Sequence, residues 1–127
     1  MNRVVLDASA VLAVANAEPG ADRVTGRPRC GIMSAVNVAE VYAKLLLAGV
    51  SAADIAGGLD ALVVEVVPFG RGQSEATAAL HARNRTFGLS LADTACLALG
   101  VRLGLPVVTT DKAWAKVAEV GPVELIR

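Results

Sequence analysis

Short apolar runs alternate with helix-like stretches along the whole chain. The runs contain three to five residues and are rich in β-branched valine, which favours strands. They cover Val4–Leu6, Cys30–Met33, Val63–Val67, Val107–Thr110 and Val123–Ile126. Between them, apolar residues recur at helical spacing. The predicted helices cover about Ser9–Ala17, Ala35–Ala48, a segment starting at Ser51, Gly72–Arg85, Leu91–Leu103 and Lys112–Ala118.

Residues that start and stop helices support this division. Ser51 and Ser90 precede two of the helical stretches and are good N-cap residues, since a serine oxygen accepts from the free N–H groups of the first turn. Gly49 follows the stretch Ala35–Ala48 and Gly104 follows Leu91–Leu103, at positions where glycine is the usual helix terminator. Pro68 ends the third apolar run. Strand and helix therefore take turns along the chain.

This alternation predicts an α/β fold with a mostly parallel central sheet. Parallel strands must be covered on both faces, so we expect a three-layer α/β/α sandwich. A chain of 127 residues suits one domain, and no repeat or low-complexity tract divides it. We therefore expect residues 1–127 to form a single domain.

The composition limits the possible functions. Hydrophobic residues make up 54% of the chain even without its 12 glycines, which exceeds the roughly 45–50% that globular domains reach with glycine included. Disorder is excluded, and part of the apolar surface is available for a partner. Aromatic residues are only 3% of the chain, which argues against RNA binding of the type that stacks bases on an aromatic sheet surface.

The cysteines and the N-terminal stretch indicate where in the cell the protein is expected. Cys30 and Cys96 lie in apolar surroundings, and two thiols with one histidine do not make up a usual four-ligand zinc site. We read them as buried thiols of a reduced cytoplasmic protein. The apolar N-terminal stretch imitates a signal peptide, but Asp7 interrupts it. Elsewhere no uninterrupted apolar run is long enough to cross a membrane.

Four acidic residues are placed where chemistry is expected. Asp7 ends the first predicted strand, Asp111 follows the Val107–Thr110 strand, and Asp93 lies in the first turn of the helix after Ser90. Because parallel strands end at a common edge, where open α/β sheets build their sites, Asp7 and Asp111 should lie at the same edge. Glu40 lies within a helix, three residues after Asn37 and on the same face.

Each acid also has a purely structural interpretation. Asp7, Asp93 and Asp111 each stand where a helix cap is expected, and Glu40 suits a solvated helix face. However, four carboxylates within about 4 Å of each other would repel by about 4 kcal/mol per pair at an effective dielectric of 20. A converging cluster would therefore need protons or a cation.

Oxygen ligands favour a hard ion, Mg²⁺ or Mn²⁺. Such an ion can activate water for attack on a phosphodiester, so that no side-chain nucleophile is required. The sequence fits this chemistry because it lacks a nucleophile elbow and complete phosphate-binding glycine motifs. Its one histidine, His81, is read as a helix-surface residue.

Four blocks of sequence, taken together and in order, resemble the PIN-domain ribonucleases, and among these the VapC toxins of type II toxin–antitoxin modules. The blocks span nearly the whole chain. They read VLDASA from Val5, SAVNVAEV from Ser34, GLSLAD from Gly88 and VTTDKAW from Val108.

The resemblance implies an α/β/α sandwich whose acidic pocket binds Mg²⁺ or Mn²⁺ and cleaves single-stranded or looped RNA. By the family pattern, Asp7 and Asp93 are direct metal ligands, and Glu40 and Asp111 complete the pocket directly or through water. The small polar positions that match the family near this pocket would orient water or phosphate. They are Ser9, Asn37 and Thr110.

The net charge is zero, with 12 basic and 12 acidic residues, so any cationic surface for RNA must be local. Candidate phosphate contacts are Arg83, Arg85, Lys112 and Lys116, each of which is equally consistent with a solvated helix face. A neutral protein should bind RNA loosely, with a modest salt dependence.

The resemblance also implies a homodimer and a VapB-like antitoxin that lies in a groove near the active site. The predicted helices Ser9–Ala17 and Ala35–Ala48 supply more apolar surface than one core-facing stripe requires. Tyr42, Leu45, Leu46 and Leu47 are the residues expected to contact a partner, unless a three-layer core buries them.

Two other functions remain open at this stage. One is another Mg²⁺-dependent phosphohydrolase, such as a haloacid-dehalogenase-like phosphatase, but that family needs an acid two residues after Asp7, where Ser9 stands. The other is a non-catalytic module that binds and regulates together with an antitoxin, its acids being structural. That protein would keep its biological effect when Asp7 or Asp93 is replaced by Asn.

Overall fold

One parallel sheet of five strands forms the centre of the protein. The computed structural model describes residues 2–117 and 120–127. The strand order is β3-β2-β1-β4-β5, and every neighbouring pair runs parallel. The strands are β1 (Val4–Leu6), β2 (Gly31–Ser34), β3 (Val63–Val67), β4 (Val107–Thr109) and β5 (Val123–Leu125).

Helices connect the strands, which keeps the strands parallel because each crossover returns the chain to the same starting edge. In chain order they are α1 (Ala8–Ala15), α2 (Ala21–Thr25), α3 (Ala35–Leu47), α4 (Ala52–Leu62), α5 (Arg71–Arg83) and α6 (Leu91–Leu103). Short 3₁₀ helices cover Arg85–Phe87 and Lys112–Lys116.

The two faces of the sheet form separate hydrophobic cores. Side chains alternate along β1, so Val4 and Leu6 pack with α1, α3 and α4, while Val5 packs with α6 on the opposite face. Trp114 belongs to the second core and is fully buried. The predicted three-layer α/β sandwich is thus confirmed, with a sheet that is parallel throughout in the described residues.

Most predicted boundaries are correct within about two residues. The helix predicted over Ser9–Ala17 ends at Ala15. Two residues later, Ala17 takes a positive φ of 51°. The helix predicted over Gly72–Arg85 ends at Arg83 and is followed by the first 3₁₀ turn. The helix predicted over Lys112–Ala118 is the 3₁₀ helix to Lys116, and Ala118 lies outside the described residues.

Helix α2 was not predicted, because five residues are too few to show helical periodicity. The buried, unpaired thiols expected of Cys30 and Cys96 are confirmed. In the described part of the chain, no helix has both the length and the hydropathy that a bilayer span requires.

Candidate active site

Asp7 is the buried acid at the carboxyl end of β1. Its side chain is only 4% exposed. Asp7 occupies the N-cap position of α1, but its side chain makes no capping hydrogen bond to that helix. The capping interpretation of Asp7 is therefore wrong, and the carboxylate turns to other partners.

Two hydroxyl groups hold one oxygen of Asp7. Ser9 Oγ donates to Asp7 Oδ2 at 2.6 Å, and Thr109 Oγ1 donates to the same oxygen at 2.9 Å. Each hydroxyl also accepts from the loop after β4, Ser9 from the Thr110 N–H at 3.0 Å and Thr109 from the Asp111 N–H at 3.1 Å. This network fixes the end of β1 to the end of β4 and leaves Oδ1 outside these bonds.

The charge on Asp7 is held in an unfavourable environment. Burial raises the pKa of Asp7 to about 6, although the hydroxyls of Ser9 and Thr109 lower it. The negative charges of Asp93 and Glu40 raise this pKa further. These three carboxylates are therefore close enough to interact. Among the residues that the structure describes, only the two hydroxyl groups act to lower the Asp7 pKa.

Asn37 connects Glu40 to the helix that carries Asp93. Its side chain is fully buried, and Nδ2 donates to Glu40 Oε1 at 2.9 Å and to the Ala92 carbonyl at 3.0 Å. Its Oδ1 has no hydrogen-bond partner within the described residues. Asn37 thus fixes the half-buried Glu40 of α3 against the first turn of α6.

Asp93 serves as both a cap residue and a member of the acidic cluster. The Ser90 N–H donates to Asp93 Oδ2 at 3.1 Å, and the Asp93 N–H donates to Ser90 Oγ at 3.0 Å. This reciprocal pair is a capping box. The box engages one carboxylate oxygen, and the side chain still raises the pKa of Asp7 by its charge.

Asp111 caps the second 3₁₀ helix, and its backbone N–H joins the Asp7 network through Thr109. It is exposed, and its Oδ1 accepts from the Ala113 N–H at 3.0 Å at the start of the second 3₁₀ helix. It is not among the charges that shift the pKa of Asp7. The structure thus brings Asp7, Glu40 and Asp93 together and places Asp111 in a capping position.

The three acids do not close around a single point. In residues 2–117 and 120–127, no three His, Cys, Asp or Glu side chains approach closely enough to hold one metal ion. Asp93 accepts instead from the Ser90 N–H, and Glu40 accepts from the Asn37 side chain. The tight four-carboxylate cluster considered from the sequence is therefore absent from these ranges.

The predicted polar residues divide into two groups. Ser9 and Asn37 bond directly to the acids, whereas Thr110 contributes its backbone N–H. Thr109, which the sequence reasoning missed, is the residue whose hydroxyl holds Asp7. The strand register explains its position. Leu6 pairs with Val108, so the next residues, Asp7 and Thr109, lie side by side.

The basic candidates are exposed on α5 and on the two 3₁₀ helices. Arg83 is exposed at the end of α5, Arg85 is exposed in the first 3₁₀ helix, and Lys112 and Lys116 are exposed in the second, next to Asp111. His81 is half-buried, with Nε2 at 3.2 Å from the Leu89 carbonyl oxygen. This contact links α5 to the loop before α6 and gives His81 a structural position.

The carboxylate oxygens of these acidic residues are chemically suited to a hard divalent cation. Carboxylate oxygens are the ligands that Mg²⁺ and Mn²⁺ prefer. A buried carboxylate next to two others, supported by hydroxyl groups, is stabilised by such an ion. The residues therefore fit a cation held by Asp7 and its neighbours, with water completing the coordination that the side chains alone do not supply.

Solved toxin–antitoxin structures share this fold. A chain of a toxin–antitoxin complex from Klebsiella pneumoniae matches with a TM-score of 0.75 and 16% identity, covering 98% of each chain. VapC20 of Mycobacterium tuberculosis, a sarcin-ricin loop cleaving toxin, matches with a TM-score of 0.74 and 20% identity, over 94% of this chain and 99% of that one. A member of the VapBC family from the same organism, VapBC-5, has 25% identity and a TM-score of 0.63, over 100% and 99%.

A sequence-family comparison agrees with this architecture. No curated protein matches the chain at a significant level. The family model described as PIN domain matches residues 4–120, which include all four candidate acids and every strand except β5. The carboxyl-edge acids, the parallel sheet and this match lead to one conclusion: the chain belongs to the PIN domain family.

Proposed function

We propose that this chain is a Mg²⁺- or Mn²⁺-dependent endoribonuclease toxin of the VapC type, neutralised by a VapB-like antitoxin. The observation that carries the proposal is the buried Asp7 at the carboxyl edge of the sheet, faced by Glu40 and Asp93. Open α/β sheets place their active sites at this edge. A purely structural acid at this depth would favour a cationic partner.

In this proposal Asp7 and Asp93 hold the ion, and Glu40 and Asp111 complete the pocket directly or through water. The ion, when bound, supplies an activated water and polarises the scissile phosphoryl group. Ser9 and Thr109 keep Asp7 in place by donating to Oδ2. Asn37 holds Glu40 by its amide group.

The substrate would lie across the carboxyl edge of the sheet. Arg83, Arg85 and Lys112 are proposed to contact RNA phosphates around this edge, since each is exposed. The small polar groups Ser9, Asn37 and Thr110 would order water or phosphate near the acids. The protein as a whole would act in the cytoplasm, where its RNA substrates are made.

Proteins of the same fold support the antitoxin partner. They include a DNA-bound VapBC from Salmonella typhimurium and FitAB bound to a DNA fragment. We further propose that the chain forms a homodimer and that it binds its antitoxin through apolar surface on α3. Leu46 and Leu47 are 50% and 91% exposed and suit such contacts, whereas Leu45 is buried in the core and is removed from the proposed surface.

The test is RNA cleavage by the purified chain without antitoxin, in Mg²⁺, in Mn²⁺ and in EDTA. We expect cleavage with either ion, none in EDTA, and a loss of at least about a hundredfold in Asp93→Asn. Asp60→Asn is the matched control, because Asp60 is an exposed acid on α4. Cleavage that survives EDTA and Asp93→Asn would contradict the metal-dependent mechanism.

A second function remains a candidate because Asp93 and Asp111 already have structural roles as caps. A non-catalytic module would bind and regulate with an antitoxin and would use its acids only for folding. Expression of Asp7→Asn distinguishes the two functions. Growth arrest that persists in a folded Asp7→Asn variant would favour the binding module.

A further inference from the structure

A cavity of about 410 Å³ lies between the end of β3 and helices α5 and α6. Its apolar wall includes Val67, Phe69 and Leu99. The polar side chains that line it are Ser34, Gln73, Thr77 and Arg102. A cleft of this size that combines apolar walls with a few polar groups is typical of a small-ligand site.

The cavity adjoins the acidic cluster on the same edge of the sheet. Ser34 is the last residue of β2 and pairs with Val67, the last residue of β3. Continuing the register in which Val5 pairs with Ile32 places Asp7 beside Ser34. Neighbouring strands are about 4.8 Å apart, so the cavity begins about one strand away from Asp7. Helix α6, which carries Asp93 in its first turn, forms one wall.

Thr77 gives the cavity a polar group that the protein itself does not satisfy. Thr77 is 2% exposed, and its Oγ1 has no hydrogen-bond partner in the described residues. The buried Thr94 of α6, by contrast, donates to the Ser90 carbonyl at 2.8 Å. Buried hydroxyl groups nearly always have a hydrogen-bond partner, because a buried polar group without one costs free energy. Thr77 is among the residues that line the cavity, so its hydroxyl is a group that a bound ligand would satisfy.

The other polar groups are mainly donors. Gln73 Oε1 accepts from the Gly70 N–H at 3.3 Å, so the NH₂ group is what a ligand would meet. Ser34 Oγ accepts from the Val36 N–H at 3.3 Å, which leaves its O–H to donate. Arg102 adds a guanidinium group, and no carboxylate is among the residues that line the cavity. The site therefore suits a molecule that combines apolar surface with hydrogen-bond acceptor atoms on its edge.

We propose that this cavity binds one nucleobase of the RNA substrate, next to the nucleotide that is cleaved. This inference rests on the proposed ribonuclease function and adds a base-recognition site to it. A base taken out of its stack is held by apolar or aromatic walls and read by hydrogen bonds to its edge. Guanine fits best, because its adjacent O6 and N7 acceptors match an arginine.

The test measures base binding without catalysis. The full chain is titrated in EDTA with guanosine, with adenosine and with inorganic phosphate, and amide chemical shifts are followed by NMR. We expect guanosine to shift the amides of Phe69, Gln73 and Thr77 with higher affinity than adenosine, and phosphate alone to leave them unchanged.

Two variants and a control connect the binding to these side chains. Arg102→Gln should weaken guanosine binding by about fivefold or more. Thr77→Val keeps the shape and removes the hydroxyl, so guanosine binding should fall while thermal stability is unchanged or higher. Arg23→Gln, at an exposed arginine of α2, is the matched control and should bind as the unaltered protein does.

The outcomes separate this proposal from the proposed function. Guanosine binding in the cavity supports the proposal even if the protein cleaves no RNA, in which case the ribonuclease function alone fails. The proposal is overturned if guanosine leaves the cavity amides unchanged, if phosphate alone produces the same shifts, or if both Arg102→Gln and Thr77→Val bind as well as Arg23→Gln.

Discussion

Asp7 is the residue at which burial and charge oppose each other most strongly. It lies under the surface at the end of β1, and its hydrogen bonds from Ser9 and Thr109 offset only part of the cost of burying its charge. The pKa of Asp7 is raised from an ordinary value of 3.8 to about 6. A group with this property destabilises the metal-free protein at neutral pH.

The sign of this effect gives the first prediction at the residue scale. Because the folded protein holds the Asp7 proton more tightly than the unfolded chain, the stabilisation is complete below about pH 4 and is lost as the pH rises through about 6. The difference between the two pKa values corresponds to on the order of 3 kcal/mol. In EDTA, Asp7→Asn should therefore raise the free energy of unfolding at pH 7.5 more than at pH 5.

Urea unfolding at the two pH values measures this difference, with Asp60→Asn as the exposed-acid control. An Asp7→Asn effect that is the same at pH 5 and pH 7.5 would show that the pKa of Asp7 is not raised.

At the scale of elements, close contacts between strands and helices define where glycine is required. A Cβ added to Gly31 of β2 would lie 2.4 Å from Leu6 Cδ1 and 2.7 Å from the Leu62 backbone oxygen. Gly58 of α4 has no neighbour within 4 Å of the same added atom. The two glycines therefore stand in opposite environments, one in the sheet and one on a helix surface.

The second prediction compares these glycines. Gly31→Ala should lower the free energy of unfolding by about 1–3 kcal/mol, because the backbone of Leu62 must move to admit the methyl group. Gly58→Ala should raise it by about 0.5–1 kcal/mol, because alanine is the better helix former. Denaturant unfolding of both variants tests the pair. Equal effects of the same sign would mean that the contact around Gly31 is not tight.

The element boundaries were predictable because their signals are local. Ser51 and Ser90 do cap α4 and α6, each accepting an N–H from the residue three positions later. Gly104 ends α6 in the left-handed conformation, with φ of 65°. The short α2 carries no such signal, since its N-cap is Gly20 and its five residues bury only Val24. Local sequence signals are enough to predict the long helices, whereas the short α2 depends on its packing.

At the scale of the whole molecule, the charges balance and yet are unevenly distributed. The net charge is zero, while Asp7, Glu40 and Asp93 gather at one edge of the sheet. An acidic centre repels RNA phosphates, so binding depends on exposed basic residues around it. Few phosphate contacts imply a weak dependence of RNA affinity on salt.

The third prediction concerns this salt dependence. For Asp93→Asn bound to single-stranded RNA, the slope of log affinity against log salt should be shallow, about −1 to −3. Lys112→Gln should make the slope less negative by about 0.7, because one phosphate contact is lost. Fluorescence anisotropy at several salt concentrations measures it, with Arg23→Gln as the charge control. A Lys112→Gln slope equal to that of Arg23→Gln would remove Lys112 from the RNA surface.

The sequence by itself determined the order of strands and helices along the chain, the layered α/β class, and the positions of Asp7 and Asp111 directly after β1 and β4. These features follow from periodicity, caps and breakers, which act over a few residues. The distinction between the acids did not follow. Each of Asp7, Asp93 and Asp111 could cap a helix by its local sequence. Only the structure shows that Asp7 does not, that the charge of Asp93 also acts on Asp7, and that the Asp111 side chain does cap.

Tertiary structure alone decided which groups meet across the chain. Thr109 reaches Asp7 over a separation of 102 residues, and Asn37 reaches Ala92 over 55, because strand register and helix packing bring these pairs within hydrogen-bond distance. The cavity next to Thr77 likewise exists only where β3, α5 and α6 meet. Local sequence encodes the backbone elements, whereas contacts between distant residues depend on how those elements pack, and the site is made of such contacts.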